Sequence, residues 1–264
     1  MTPENRDLFL QHNPIAVDQG RDREAFDREV RRISDWLPRG RTLRVLDFGC
    51  GAGAWTGYWL ELGAQVVAMD FDLDLVRTAA SRLAPAAGGR MLPAVGDAGL
   101  APFRSARFDL VSCDSVLEHT PHWQQVVEEA ARLVAPGGVL VLHTTNRLCP
   151  MQTEVRGFPF YPWLPERLRN RVLAWIMKHQ PERVGYSATP AVNWFHPRRL
   201  RAFVAAQGLE VYERIDLVRP EELHGVRALG RWMVSSNGHG ARGRLVYYLL
   251  SKSVSLYARR PATG

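Results

Sequence analysis

Cysteine is scarce in this chain of 264 residues. Its three cysteines, Cys50, Cys113 and Cys149, are odd in number and scattered, and no two have the spacing of a metal-binding pair. A disulfide framework needs paired cysteines, and a structural zinc site needs closely spaced ones. We therefore expect three reduced, buried thiols and no bound metal.

Lysine is almost absent, and so is any long apolar run. Lys178 and Lys252 are the only lysines among 34 basic residues, and the net charge of +7 comes from arginines spread along the chain. Because these arginines form no basic tail, nucleic-acid binding is disfavoured. No apolar run approaches the ~18–20 residues of a membrane span. The N-terminal residues, MTPENRDLFLQHN, have no basic-then-apolar signal pattern, which predicts a cytoplasmic protein.

Short apolar segments alternate with helical patterns over the first part of the chain. Apolar positions at helical spacing predict an N-terminal helix over residues 21–37, ended by Pro38. Strands are predicted at residues 43–48, 65–69, 91–95, 108–113 and 139–144, with helices at 54–62, 73–83 and 123–135. This alternation is typical of an α/β fold with a doubly wound, mainly parallel sheet.

The pattern changes near residue 147. Residues 147–163 are rich in proline, arginine and aromatic side chains. Helices are predicted at 164–179 and 197–207, strands at 209–217 and 253–259, and a largely helical segment at 220–250. We interpret the chain as one domain with four parts: an N-terminal helical segment (1–40), a ligand-binding core (41–146), an inserted cover (147–196) and the C-terminal part of the sheet (197–264).

The strongest motif joins the first strand to the following helix. It reads VLDFGCGAGAW over residues 45–55, with glycines at 49, 51 and 53. Glycines allow positive φ and close approach of a ligand, and the next helix N-terminus offers free N–H groups. The spacing also fits a dinucleotide fingerprint. However, Asp47 would oppose a pyrophosphate and suits a cationic ligand instead.

Two further acids follow strands at the same edge of the predicted sheet. Asp70 ends the second strand, close to the ~20-residue spacing at which an acid meets ribose hydroxyls. Asp97 follows the third strand, where it can accept a hydrogen bond from an exocyclic amine. A lone aspartate in a loop is also a common turn residue or helix cap, so both interpretations of Asp97 stay open.

Five segments give these motifs a recognisable order. They are VLDFGCGAG at 45–53, VVAMDFD at 66–72, VGDAGLAPF at 95–103, FDLVSCDSVLEHT at 108–120 and LVAPGGVLVLHTTN at 133–146. Over roughly residues 40–146 the chain resembles class I S-adenosylmethionine-dependent methyltransferases, especially the group of ubiquinone- and menaquinone-type enzymes. The resemblance implies a Rossmann-like sheet of seven strands with the last one antiparallel, and S-adenosylmethionine as the cofactor.

The resemblance also implies a set of cofactor-binding residues. Asp47 and the loop would hold the methionine part, and Asp70 would bind the ribose hydroxyls. Asp97 and the backbone N–H of Ala98 would bind adenine, with Phe71 stacking near it. Residues 114–119 would line the reactive side. The full set is Asp47, Gly49, Cys50, Gly51, Gly53, Asp70, Phe71, Asp97, Ala98, Asp114 and Ser115.

His119 is the candidate catalytic base. It follows the fourth strand in the segment DSVLEH, and an imidazole titrates near neutral pH. Methyl transfer needs a base only where the nucleophile must lose a proton. The alternative is that His119 packs against the cofactor or caps the next helix. We expect Glu118 to be a solvated or helix-capping acid.

The predicted cover and the fifth strand supply the candidate acceptor-binding residues. Aromatic side chains with a few charges suit a flat or amphipathic acceptor, although the same aromatics could merely seal the cover to the domain. A histidine in an apolar strand is, alternatively, a core residue. The candidates are His143, Glu154, Arg156, Phe160, Tyr161 and Trp163.

These observations together predict a methyltransferase that acts on a small molecule. An oxygen of a hydroxyl or carboxylate in a biosynthetic intermediate is the expected acceptor, on the strength of the resemblance and the possible His119 base. The alternatives are an N- or C-methyltransferase acting on a small molecule or peptide, a non-catalytic binding module with this fold, and an NAD-dependent oxidoreductase that uses the same glycine loop.

Overall fold

One mixed sheet of seven strands organises the computed structural model, which describes residues 20–151, 154–180, 183–184, 191–218 and 240–262. The strands run in the order β3-β2-β1-β4-β5-β7-β6. The first five are parallel, and β7 is antiparallel to both β5 and β6. This confirms the predicted fold. The strands are β1 (Arg44–Phe48), β2 (Gln65–Asp70), β3 (Met91–Val95), β4 (Phe108–Asp114), β5 (Val134–Thr145), β6 (Glu210–Glu213) and β7 (Ser253–Arg259).

Helices cover both faces of the sheet. Adjacent strand residues point to opposite faces, so Val45 packs with one cluster and Leu46 with the other. Helices α1 to α3 pack on the Val45 side, and α4 and α6 on the Leu46 side. The helices are α1 (Gly20–Ile33), α2 (Ala54–Glu61), α3 (Leu73–Ala87), α4 (Trp123–Leu133), α5 (Glu166–His179), α6 (Pro197–Ala205), α7 (Arg214–Leu217) and α8 (Ala241–Leu250).

Four predicted boundaries were wrong by more than two residues, and one of them is the end of α3, which lies at Ala87 and not at 83. The N-terminal helix ends at Ile33, and a short 3₁₀ turn over Ser34–Trp36 replaces its last residues. Strand β5 begins at Val134, where a helix end was expected, since the chain already pairs with Phe108 there. The predicted strand at 209–217 stops at Glu213, and Arg214–Leu217 turns into α7.

A capping box explains the end of β6. The Glu213 side chain accepts from the α7 backbone, and Asp216 accepts from the backbone N–H of Glu213 at 2.9 Å. Such reciprocal bonds satisfy the free N–H groups of a helix start. Here they start a helix within residues 209–217, whose sequence pattern predicted a strand throughout. Of the helical segment predicted at 220–250, α8 lies in the described part, while residues 219–239 lie outside it.

The chain between β5 and α6 leaves and returns at one edge of the sheet. Asn146, just after β5, forms a parallel bridge with Phe195, just before α6. The described residues between them include α5 and an apolar cluster around Tyr161 and Ile176. Since this edge holds the carboxyl ends of the parallel strands, the predicted cover at 147–196 begins and ends beside the expected ligand site. No helix in the described part of the chain is long and apolar enough to cross a membrane.

Candidate functional site

The glycine loop follows β1 directly and has left-handed backbone geometry at each glycine. The φ angles of Gly49, Gly51 and Gly53 are 67°, 53° and 87°. A Cβ on Gly49 would lie 2.3 Å from Val116 Cγ2, and one on Gly53 would lie 2.8 Å from Leu83 Cδ1. Both backbone conformation and space therefore demand glycine at these two positions. The loop is a cradle of bare backbone at the N-terminus of α2.

The cysteines are buried and are not placed as reactive groups. Cys50, Cys113 and Cys149 are all free and buried. Burial raises the pKa of the Cys50 and Cys113 thiols, and neighbouring carboxylates raise it further. A protonated thiol is a poor nucleophile, so Cys50 contributes its backbone to the loop and not a reactive group.

Asp47 is a carboxylate sealed beneath the loop. It is buried in β1, and Thr56 in the first turn of α2 donates a hydrogen bond to its Oδ2 at 2.6 Å. Burial raises the pKa of Asp47 to about 7, and the nearby charges of Asp114 and Asp70 add to the effect. Sequence reasoning missed Thr56; a buried hydroxyl one turn after the loop is the signal that could have found it.

Asp70 ties the end of β2 to the loop. Its Oδ2 accepts from the backbone N–H of Gly51 at 2.9 Å, and its Oδ1 accepts from that of Asp72 at 3.0 Å. Burial raises its pKa, although these backbone hydrogen bonds act in the opposite direction. Each carboxylate oxygen has two lone pairs, so Asp70 can hold the loop and still accept from a ligand hydroxyl.

Apolar side chains stand exposed after β2 and β3. Phe71, next to Asp70, is 63% exposed, and Leu100 is 77% exposed. Leu100 belongs to the short 3₁₀ turn Ala98–Leu100, which Asp97 caps by accepting from the N–H of Gly99 at 2.8 Å. Asp97 is thus a turn cap. Leu100 was absent from the predicted site, and a large apolar residue just after a capping aspartate is its signal.

The end of β4 is a tight turn with a polar edge. Ser115 has φ of 56°, an uncommon value for a residue with a side chain, and its N–H donates to the carbonyl of His143 at 2.9 Å. The Ser115 hydroxyl donates to Asp114 Oδ1 at 3.2 Å. The Asp114 side chain is 31% exposed. The turn therefore presents a carboxylate at the sheet edge, close enough to Asp47 to raise the pKa of that group.

His119 ends the 3₁₀ turn Leu117–His119 and is half-buried. The expectation for its neighbour Glu118 was wrong: this side chain is only 2% exposed. Thr144 donates to Glu118 Oε2 at 2.7 Å, and burial raises the pKa of Glu118 to about 8. The glutamate can be buried because a hydroxyl on the adjacent strand gives it a partner. Burial thus favours the protonated, neutral form of this acid.

Four hydrogen bonds tie the returning end of the cover segment to the His119 turn. The N–H groups of Val192 and Asn193 donate to the carbonyl of Glu118 at 2.8 and 3.0 Å. The Asn193 side-chain amide donates to the carbonyls of Leu117 and Thr120 at 2.9 and 2.8 Å. Sequence reasoning missed Asn193, because its partners lie more than 70 residues away in the chain.

His143 lies beneath the site and not at its surface. It is 9% exposed on β5, with Nδ1 at 3.6 Å from Asp114 Oδ1 and Nε2 at 3.4 Å from Glu29 Oε2. Burial lowers the pKa of His143, but the two carboxylates outweigh it and raise the pKa to about 9. A buried imidazolium between two acids is not placed for acceptor contact, so we remove it from the candidate acceptor set.

The aromatic candidates of the cover segment separate into two groups. Tyr161 is fully buried in the segment's own apolar cluster, stacked edge-on against Trp194 at 5.3 Å, and we remove it from the acceptor set. Phe160 and Trp163 are 51% and 49% exposed and contact each other at 5.1 Å. Arg156 is exposed, and Glu154 lies near enough to Glu118 to raise the pKa of that acid.

Comparison with known protein families matches the central part of the chain. Residues 46–142 match the family model described as a methyltransferase domain. The matched region contains the glycine loop, the acids after β2 and β3, and the His119 turn. Residues 46–142 are therefore similar to a methyltransferase domain, and the seven-stranded sheet that contains them agrees with the fold of the class I S-adenosylmethionine-dependent methyltransferases.

Curated relatives include ubiquinone biosynthesis O-methyltransferases. One from Xanthomonas oryzae pv. oryzae is 38% identical over 104 residues, which is 39% of this chain and 44% of the relative. One from Xanthomonas axonopodis pv. citri is 40% identical over 108 residues, with the same coverage. The chain thus spans less than half the length of these relatives.

Solved structures extend the likeness in fold to nearly the whole chain. PH0226 protein from Pyrococcus horikoshii is 16% identical with a TM-score of 0.55 and covers 98% of both chains. An S-adenosylmethionine-dependent methyltransferase from Mesorhizobium loti is 16% identical with a TM-score of 0.54, and covers 88% of this chain and 97% of its own. At these identities the likeness is one of fold.

Proposed function

We propose that this chain transfers a methyl group from S-adenosylmethionine to an oxygen of a small-molecule acceptor, a hydroxyl or a carboxylate. The observation that carries the proposal is the set of three carboxylates around the glycine loop: Asp47, Asp70 and Asp114. The names of the curated relatives support oxygen as the acceptor atom.

The charge around the loop selects the kind of ligand. Buried Asp47 has its pKa raised by the carboxylates of Asp114 and Asp70 as well as by burial, so the site already resists further negative charge. A dinucleotide would add a pyrophosphate there. S-adenosylmethionine would instead place an ammonium and a sulfonium near these acids, which favours their ionised form. The loop therefore fits this cofactor and disfavours the NAD alternative.

The remaining cofactor contacts follow from the neighbouring strand ends. Asp70 retains lone pairs for the ribose hydroxyls. Phe71 and Leu100, exposed at the ends of β2 and β3, would cover the faces of the adenine ring, since apolar side chains bury an aromatic ring favourably. Asp97 would accept from the adenine amino group, and Ala98 would offer its backbone N–H.

S-adenosylmethionine supplies an activated methyl group when bound, so the protein must align the acceptor, exclude water and take up a proton. We assign the proton to His119. Glu118 beside it is a poor base because burial keeps it protonated below about pH 8. The predicted cover at 147–196 would exclude water, and exposed Phe160, Trp163 and Arg156 would contact the acceptor.

Calorimetry tests the cofactor assignment directly. The protein is titrated with S-adenosylhomocysteine and, separately, with NADH. Binding of S-adenosylhomocysteine alone supports the proposal, whereas binding of NADH alone would contradict it. The acceptor atom is then tested with S-adenosylmethionine and a panel of catechols, aryl carboxylates and amines, read by product mass. Methylation confined to the amines would overturn the assignment of oxygen.

The role of His119 is tested by substitution on an active acceptor. His119→Ala is expected to lower kcat by about 10²–10⁴-fold, the usual contribution of one base, with little change in affinity for S-adenosylhomocysteine. The exposed His122, three residues along the chain, provides the control variant His122→Ala. Equal losses of turnover and cofactor affinity in His119→Ala would assign the residue to cofactor contact instead.

A further inference from the structure

A buried ion-pair chain connects the N-terminal helix to the edge of the site. His143 on β5 lies between Glu29 of α1 at 3.4 Å and Asp114 of β4 at 3.6 Å. Asp114 and His143 are register partners on adjacent strands. The chain therefore runs from α1, under the sheet edge, to a carboxylate that stands beside the glycine loop.

Glu29 is itself held from several directions. Its Oε1 accepts from Arg32 at 2.6 Å and from Arg214 at 3.1 Å, and its Oε2 accepts from the hydroxyl of Tyr257. Burial raises the pKa of Glu29, but His143 and the two arginines outweigh it and lower the pKa to about 2. Glu29 thus stays charged and fixed, with its Oε2 at 3.4 Å from His143 Nε2.

The cost of this arrangement argues for a role beyond packing. Removing charges from water costs several kcal/mol per ion, and apolar residues of similar volume often replace buried ion pairs without loss of stability. Trp55 and Tyr257 already flank the His143 ring edge-on at 6.1 Å. An aliphatic side chain would therefore suit this position if packing were its only task. What the histidine adds is a directed positive charge toward Asp114.

We propose that His143 is a positioning residue of the cofactor site: held by Glu29, it orients the Asp114 carboxylate beside the glycine loop. The inference rests on the proposed function, since it gives the oriented carboxylate a cationic ligand to bind. Helix α1 thereby becomes part of the site without touching the ligand. Asp114 needs this partner because, within the described part of the chain, its side chain otherwise bonds to the adjacent Ser115 hydroxyl, which cannot fix its direction relative to β5.

The test is a double-mutant cycle on cofactor affinity. Affinity for S-adenosylhomocysteine is measured by calorimetry for wild type, His143→Gln, Asp114→Asn and the double variant. This ligand is chosen because its sulfur is uncharged, so the lost imidazolium charge has little direct effect on it. We expect about tenfold weaker binding for each single variant and no further weakening in the double variant, as coupled groups are non-additive.

Two further variants separate positioning from general damage. Glu29→Gln should weaken binding in the same direction as His143→Gln, while the exposed His122→Gln should leave it unchanged. If His143→Gln does not fold, Glu29→Gln combined with Asp114→Asn completes the cycle. On an active acceptor, the KM for S-adenosylmethionine should rise and the KM for the acceptor should not.

The outcomes distinguish a failure of the proposed function from a failure of the positioning role of His143. If wild type binds no S-adenosylhomocysteine, the proposed function fails before the inference is reached. If wild type binds and folded His143→Gln binds equally well, or if the losses in the double variant simply add, then His143 serves only stability and the inference is overturned while the function stands.

Discussion

At the scale of single residues, the site depends on backbone that only glycine can supply. Gly49 and Gly63 both have positive φ, 67° and 81°, but only Gly49 faces an obstacle, the Val116 side chain. The two positions therefore share the conformational cost of an alanine, roughly 1–2 kcal/mol, and differ in the steric clash. This contrast provides a matched pair for testing the loop.

Gly49→Ala is expected to weaken S-adenosylhomocysteine binding by about tenfold or more, because Val116 and the loop must move apart to admit the new methyl group. Gly63→Ala should lower the free energy of unfolding by about 1 kcal/mol and leave binding unchanged. Calorimetry and denaturant unfolding measure the two effects. Equal binding in both variants would mean that the loop is not the ligand cradle.

Asp47 makes a second prediction at this scale. Burial raises its pKa to about 7, and a cationic ligand lowers the pKa of a nearby carboxyl. Binding should therefore release a proton, and affinity should increase as the pH rises through about 7. Calorimetry at pH 6.5 in two buffers of different ionisation enthalpy measures the release. Asp47→Asn should bind more weakly and release less; an unchanged release would place the proton on another group.

At the scale of elements, the sequence predicted strands better than the contacts between them. The core strands were found because they are short apolar runs bounded by turns. Glu118 was misread as solvated because its partner Thr144 lies on the next strand and outside any local pattern. The end of β6 was predicted wrongly because Glu213 and Asp216, three residues apart, form a capping box that starts a helix there.

The hydrogen bonds from the Asn193 side chain to the His119 turn give a prediction at this scale. Asn193→Ala removes two hydrogen bonds to the carbonyls of Leu117 and Thr120, and should destabilise the fold by about 1–3 kcal/mol. The His119 turn would keep only its backbone hydrogen bonds to Val192 and residue 193, so kcat should fall more than cofactor affinity. Asn170→Ala, at an exposed position of α5, is the matched control. Unchanged turnover in folded Asn193→Ala would show that the turn holds its geometry alone.

At the scale of the whole molecule, buried ionisable groups dominate the dependence of stability on pH. His143, Glu118 and Asp47 have pKa values raised in the folded state to about 9, 8 and 7. A group of this kind contributes stability below its unfolded pKa that is lost as the pH rises through its folded pKa. Glu29, with its pKa lowered to about 2, contributes stability that is lost as the pH falls below about 4.5.

The ligand-free protein should therefore be most stable near pH 4–5, below the usual range of about pH 5 to 8. From there to pH 9 the free energy of unfolding should fall, because all three groups hold their protons more tightly in the folded state than in the unfolded chain. Urea unfolding across this range measures the slope. His143→Gln should flatten it between pH 6.5 and 9, and Glu118→Gln between 4.5 and 8. An ammonium that ionises Asp47 would itself reduce the slope, so the same titration with saturating S-adenosylhomocysteine, which carries that ammonium, should give a flatter curve. An identical slope with and without ligand would mean that Asp47 is not part of the binding site.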